Sequence, residues 1–208
     1  MSILTDTTFY TQTKIQMINQ CLLAIGEVVL PEGTLIEDLP IGTDARTAEF
    51  YVVKNMKRVQ NRGWFFNTDL QFKFVPDSDK FITAPANLLR LDAGLTTNRS
   101  RVIKKGARVY DLEKQSYKFD DDVYADAIWI VDYSELPVSA FDYIALRSAR
   151  QFQQSVVGSI ELSGFTEQDE LDALSDMQRE HLQYRDFSML GRGATRLWNP
   201  RSSLGLGG

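Results

Sequence analysis

One cysteine and one histidine among 208 residues exclude several kinds of chemistry at once. With Cys21 alone no intrachain disulfide can form, which points to synthesis in a reducing compartment rather than export along an oxidising route. A structural zinc site wants four Cys or His ligands, and the chain offers Cys21 and His181. A serine or cysteine nucleophile would need His181 as its base, and no local signature of a hydrolase surrounds Cys21, Ser148 or Ser155. Long apolar runs are missing too: no segment approaches ~18 uninterrupted apolar residues, so no membrane-spanning segment is predicted. Met1 to Tyr10 carries Asp6 and several hydroxyls where a signal peptide would have a basic start and an apolar run. There is no repeat of fixed period.

Positive charge is also in deficit. Lys and Arg number 23 against 28 Asp and Glu, a net charge of -5, whereas coating DNA non-specifically requires a basic face. What is present is ordinary for a folded, soluble chain, with 43% hydrophobic and 25% charged residues. At this length roughly 70% of the unfolded surface is buried on folding, so no staple is needed.

Helical spacing appears first from Thr13 to Ile25, with Ile15, Ile18, Leu22 and Ile25 on one face and Gly26 as the stop. A turn-rich loop spans Pro31 to Gly42. A second helix follows, capped by Thr43 or Asp44, with Ala45, Ala48, Val52, Met56 and Val59 as its stripe. Arg58 and Arg62 sit near the negative end of its dipole, and Gly63 supplies the left-handed residue that stops it.

From Trp64 to Pro137 the pattern becomes strand-like, with runs at Phe72–Val75, Asn87–Leu91, Val102–Lys104, Arg108–Leu112 and Ala127–Tyr133. Five or six antiparallel strands are expected. Helical spacing then returns at Phe141, Ile144, Ala145, Ser148, Phe152 and Val156, with Ser139 as cap. A fourth helix is predicted from Thr166, which with Asp169 makes an acidic capping box. Glu167 and Glu170 lie in its first turn, and Leu171, Leu174, Met177 and Leu182 face the core. After Gly191 a Gly-rich tail carries Arg192, Arg196 and Arg201 but no acid.

The predicted fold class is α+β. A four-helix bundle (1–63 and 138–190) carries an antiparallel β domain (64–137) inserted between helices 2 and 3, and a flexible C-terminal tail (191–208) follows.

No residue is assigned as catalytic, cofactor-binding or metal-binding. Carboxylates are numerous, and a glycoside hydrolase needs two across a cleft, so a peptidoglycan glycoside hydrolase using Glu161, Glu167 or Asp169 is the alternative function. Asp120, Asp121, Asp122 and Asp126 lack the Gly and closing Glu of a calcium loop and read as a solvated turn. Two basic groups remain. Arg99, Arg101, Lys104, Lys105 and Arg108 lie on a hairpin without acids, suited to nucleic acid or an acidic partner, though without the interleaved aromatics of a sequence-reading RNA module. Lys54, Lys57, Arg58 and Arg62 occupy the polar side of the second helix, as a solvated face or a subunit contact.

Several short stretches stand in a telling order. They are Asn19 with Ala24-Ile25-Gly26-Glu27, then Gln60-Asn61-Arg62-Gly63-Trp64-Phe65-Phe66-Asn67, then Val109-Tyr110-Asp111 with Phe119-Asp120. Asp132-Tyr133 with Glu135-Leu136-Pro137 follows, and then Ala149-Arg150-Gln151-Phe152. At this spacing the chain resembles the tail tubular protein A family of short-tailed, T7-like phages.

The resemblance implies a virion tail protein that is not an enzyme and needs no cofactor. It implies an adaptor or gatekeeper ring of twelve copies beneath the portal protein, joined to the nozzle made of tail tubular protein B, near the attachment site of the tail fibre. Double-stranded DNA would pass through it at genome ejection. Candidate interface residues are Arg58, Arg62, Trp64, Arg101, Lys104, Lys105, Arg196, Leu197 and Trp198. The last two form an apolar anchor in an otherwise polar tail.

Overall fold

A computed structural model of the chain describes residues 11–92, 101–158 and 167–184. Helix α1 spans Lys14–Ala24, where Thr13 accepts from the Gln16 N–H and the Gln16 side chain returns the bond, a capping box. Its buried face is Ile15, Met17, Ile18, Cys21 and Leu22. Helix α2, Asp44–Gln60, buries the expected stripe together with two polar residues, Asn55 and Gln60. Gly63 follows at φ 79°, the left-handed conformation expected of it. Helix α3, Val138–Val156, and α4, residues 167–184, complete a mixed α+β architecture with antiparallel sheets.

One starting cap differs from expectation. Ser139 does not cap α3: the helix begins at Val138 behind Pro137, and the Ser139 hydroxyl donates to Glu180 on α4. Thr43 is the N-cap of α2 as expected, although its hydroxyl donates back to the Pro40 carbonyl instead of accepting from the first turn. Thr166 lies outside the described residues. In α4 the buried line follows the expected stripe only in part. Met177 is buried and Ala173 and Leu174 are half-buried, while Leu171 and Leu182 are 52% and 56% exposed. The inward position expected of a leucine is taken by Glu170.

Strands β1 (Thr68–Phe74), β5 (Val123–Trp129) and β2 (Leu88–Asp92) form an antiparallel sheet in that order. Strands β3 (Val102–Lys105) and β4 (Arg108–Asp111) form a hairpin closed by Gly106 at φ 65°, the positive φ that two-residue loops require. Strand β1 begins four residues earlier than its aromatic run suggests, because a bulge between Asp69 and Phe72, with Gln71 at φ 55°, breaks the alternation. Strand β5 starts at Val123, not Ala127, and ends at Trp129, not Tyr133. Its inward residues include two alanines, which hide the strand signal, and past Trp129 the backbone of Val131 pairs with the Gln60 side chain.

The apolar interior falls into two clusters. Residues from all four helices, with Trp64 and Leu136, make one; Phe74, Ile82, Leu88, Leu91, Val102, Val109, Phe119 and Val123 lead the other. At ~25 cal/mol per Å2 of apolar area removed from water, side chains such as Phe152, Ile144 and Ile128, each 2% exposed or less, contribute about 2 kcal/mol apiece.

Candidate assembly surfaces and the seam that fixes them

The chain crosses between the two clusters at residues 60–67 and returns near 129–131, and side-chain amides close that crossing. Gln60 donates to the Val131 carbonyl at 3.2 Å and accepts from the Val131 N–H at 2.8 Å, copying the bonds of a strand neighbour. The Asn67 amide donates to the carbonyls of Gln60 and Trp129 at 2.9 and 2.6 Å and accepts from the Trp64 N–H at 2.8 Å. Trp64 donates its indole N–H to Val59 at 2.8 Å, tying the aromatic to the last turn of α2. Asn67 is 2% exposed, so each of these groups would otherwise be a buried polar atom without water. Gly63 is required as well: a Cβ there would stand 2.7 Å from Ile128 Cδ1.

The other stretches singled out by sequence do similar work. Asn19 exchanges two bonds with the Leu30 backbone at 2.9 and 2.7 Å, pinning the loop after α1. Asp111 is buried and receives the N–H groups of Glu113 and Lys114, at 2.8 and 3.0 Å, to close the turn after β4. Asp132 and Glu135 cap a 3-10 turn reciprocally ahead of the buried Leu136. Arg150 donates to Glu170 at 2.5 Å while Arg147 holds its other oxygen at 2.7 Å, clamping α4 onto α3. Sequence reasoning missed this clamp; its signal was two arginines three apart on an otherwise apolar α3 face.

His181 sits at a boundary of α4, where its Nδ1 accepts the Phe65 N–H at 3.1 Å and its ring meets Trp64 edge to face at 5.3 Å. Burial pushes the Cys21 thiol up to about 12. The hydroxyls of Ser148 and Ser155 donate back to their own helix, at 2.7 Å each. Of the carboxylates considered for glycosidase chemistry, Glu167 and Asp169 are exposed and Glu161 lies outside the described residues. Asp120 and Asp122 are paired with Lys80 and Lys73 at 2.6 and 2.7 Å.

The interface candidates scatter. Arg58 and Arg62 are exposed at the end of α2. Trp64 is 6% exposed and belongs to the helical core, so it is not a surface anchor. Arg101 and Lys105 are exposed on the hairpin, while Lys104 is half-buried and donates to the Leu88 carbonyl. Aromatics do accompany this basic group, contrary to expectation: Lys105 lies 4.4 Å from the Tyr110 ring centroid, and the Arg108 guanidinium 4.0 Å from that of Phe81. Arg99, Arg196, Leu197 and Trp198 lie outside the described residues.

The ordered seam residues thus place helices and strands in one connected body, and the chain can be compared with known proteins on that footing. Residues 15–187 match the family described as tail tubular protein. The chain belongs to the tail tubular protein family. It is 25% identical over 177 residues to tail tubular protein A of Klebsiella phage KP34, covering 84% of this chain and 90% of that one. Membership makes the chain a structural component of a phage tail, as its sequence resemblance implied. The stretches that carry that resemblance are the capping, bridging and turn-closing residues just described, which explains why each is short and why they fall at element boundaries. Among the described residues no helix is long and apolar enough to cross a membrane.

Proposed function

We propose that this tail tubular protein is a ring-forming adaptor, with twelve copies seated beneath the portal protein and joined on the far side to the nozzle of tail tubular protein B. The observation that carries this reading is the family match over residues 15–187, whose span includes both apolar clusters and the seam between them. In this reading 1–63 with 138–190 is a helical bundle domain that packs against its copies. Residues 64–137 are a β domain inserted between α2 and α3, and 191–208 is a tail that anchors through Leu197 and Trp198 on a neighbouring subunit, the portal or the nozzle. The mechanism is geometric: a ring turns one flat protein surface into a platform for the next. Side-chain bonds at the crossing suit that task, because a load-transmitting subunit must not hinge where its two cores meet.

Twelve copies at -5 each sum to about -60, and a bore lined with carboxylates would repel the DNA backbone and let it slide during ejection. The tail fibre would meet the ring at its outer margin, and no cofactor takes part. End-on images of the protein mixed with its portal test the reading: twelve-fold averages with added density below the portal are expected, and portals without added density would refute it. Deleting residues 192–208 should weaken docking, and unchanged docking would remove the tail from the account.

A further inference from the structure

Charge is divided unevenly among the helices. Residues 167–184 hold six acids (Glu167, Asp169, Glu170, Asp172, Asp176 and Glu180) against Arg179, a net -5. Only Glu170 is neutralised within the fold by arginines of α3. Helix α2 holds Arg46, Lys54, Lys57 and Arg58 against Asp44 and Glu49, a net +2, and Arg62 follows it. Its acid Glu49 is already paired with Lys14 at 2.6 Å.

The outward face of α2 is more than a solvated charge row. Phe50 is 62% exposed at its centre. A shallow depression of about 380 Å3 surrounds it, lined by Arg46, Glu49, Val53, Lys54 and Lys57. The Lys54 ammonium lies 5.8 and 5.6 Å from the Phe50 and Tyr51 ring centroids. Among the described residues Lys54, Lys57 and Arg58 have no carboxylate partner. An apolar centre ringed by unpaired cations calls for an apolar slot ringed by carboxylates.

The same chain carries such a slot elsewhere. Between α1, α3 and α4 a groove of about 330 Å3 brings Ala145, Leu146 and Ala173 together with Asp142, Asp169, Asp172 and Asp176, alongside the polar Gln20 and Ser139. Among the described residues Asp176 is the only one of the four with a cation partner, an exposed contact to Arg179 on its own helix at 3.0 Å. The two faces share no lining residue. A face and its complement at different places on one subunit make a head-to-tail contact, which closes into rings when the rotation allows.

We propose that the α2 face of one copy docks on the α3–α4 groove of the next, Phe50 entering the groove and Lys54, Lys57 and Arg58 meeting Asp142, Asp169, Asp172 and Asp176. This rests on the ring reading above and names the contact that builds it. The Arg147–Glu170–Arg150 clamp then has a second purpose, since it holds the acidic wall of the groove in place for the neighbour.

Charge exchange between subunits tests the pairing, read by light scattering of full-length protein in the presence of portal. Lys54→Glu with Lys57→Glu should weaken ring assembly more than about tenfold, as should Asp172→Lys with Asp176→Lys. Mixing the two variants should restore the ring, because each brings the face the other lacks and the reversed faces complement each other. Helix content and melting temperature are measured first; should a reversed variant not fold, Lys54→Gln with Lys57→Gln and Asp172→Asn with Asp176→Asn replace it, and a several-fold loss in both is expected. Rings that form equally well in all variants would overturn the pairing, as would losses that mixing does not repair, the outcome if the portal or nozzle covers α2. Absence of a ring from the unaltered protein would count instead against the adaptor reading.

Discussion

Asn67 carries three bonds at the crossing between the cores, and its replacement tests whether those bonds hold the two together. In Asn67→Ala the Trp64 N–H is left without its acceptor beside a side chain only 6% exposed, and the carbonyls of Gln60 and Trp129 each lose a donor. The Gln60 carbonyl keeps a second partner, the Gly63 N–H at 3.1 Å, which softens the loss there. With a net ~1 kcal/mol per bond and ~1–3 for a stranded buried donor, the cost comes to about 3 kcal/mol. For a chain of this size that lowers the melting temperature by roughly 6–12 °C.

Asn67→Asp is the sharper probe. It keeps an acceptor for Trp64 but turns the second oxygen, unprotonated at neutral pH, toward two carbonyl oxygens. It should therefore cost more than Asn67→Ala at pH 7. Its deficit should shrink as the pH falls, because a protonated carboxyl can donate one of the lost bonds and its pKa in the fold is raised by this site. Urea unfolding followed by tryptophan emission reads both changes, with Trp64 and Trp129 flanking the site. Asn67→Ala costing under ~1 kcal/mol, or Asn67→Asp matching the unaltered protein at pH 7, would refute the reasoning.

Other perturbations follow from the same geometry. Glu170→Gln leaves Arg147 and Arg150, side chains 16% and 19% exposed, facing a neutral group, and should cost about 3 kcal/mol in urea unfolding, whereas Asp120→Asn, which breaks an exposed pair with Lys80, should leave the melting temperature unchanged. Gly63→Ala meets Ile128 and a left-handed backbone together, so its loss should exceed that of Gly42→Ala by about 1–3 kcal/mol; at Gly42, φ 90°, the added carbon meets open space. Cys21, its thiol pushed up to about 12, should react with a disulfide reagent at pH 8 only as fast as the chain unfolds. The same shift makes stability fall as pH rises from the thiol's ordinary 9.0 towards 12, since the unfolded chain gives up that proton first.

Legibility from sequence depended on whether a residue's job was periodic. The stripes of α1, α2 and α3 follow helical spacing and were readable as such, as were Gly26 and Gly63 at the helix ends. Strand β5 was half hidden because Ala125 and Ala127 fill its inward positions, and small side chains carry little strand signal. In α4 a buried Glu170 displaced the expected leucine line, and only its two arginine partners on α3, remote in sequence, make that burial tolerable. The pairing of Arg108 with an aromatic ring was out of reach for a related reason. Phe81 arrives from a separate segment through isolated bridges at Lys118 and, two residues on, from Thr83 to Arg108. The boundary stretches were the most informative part of the chain because caps, bridges and turns each demand a particular residue, while apolar stripes tolerate many.

The adaptor reading itself comes down to stoichiometry. The mass of the purified protein, alone and mixed with portal of the same phage, can be measured by light scattering on a sizing column. Twelve copies of a 23.7 kDa chain should add about 280 kDa to the portal peak. A portal peak of unchanged mass, with the protein eluting separately, would contradict the account.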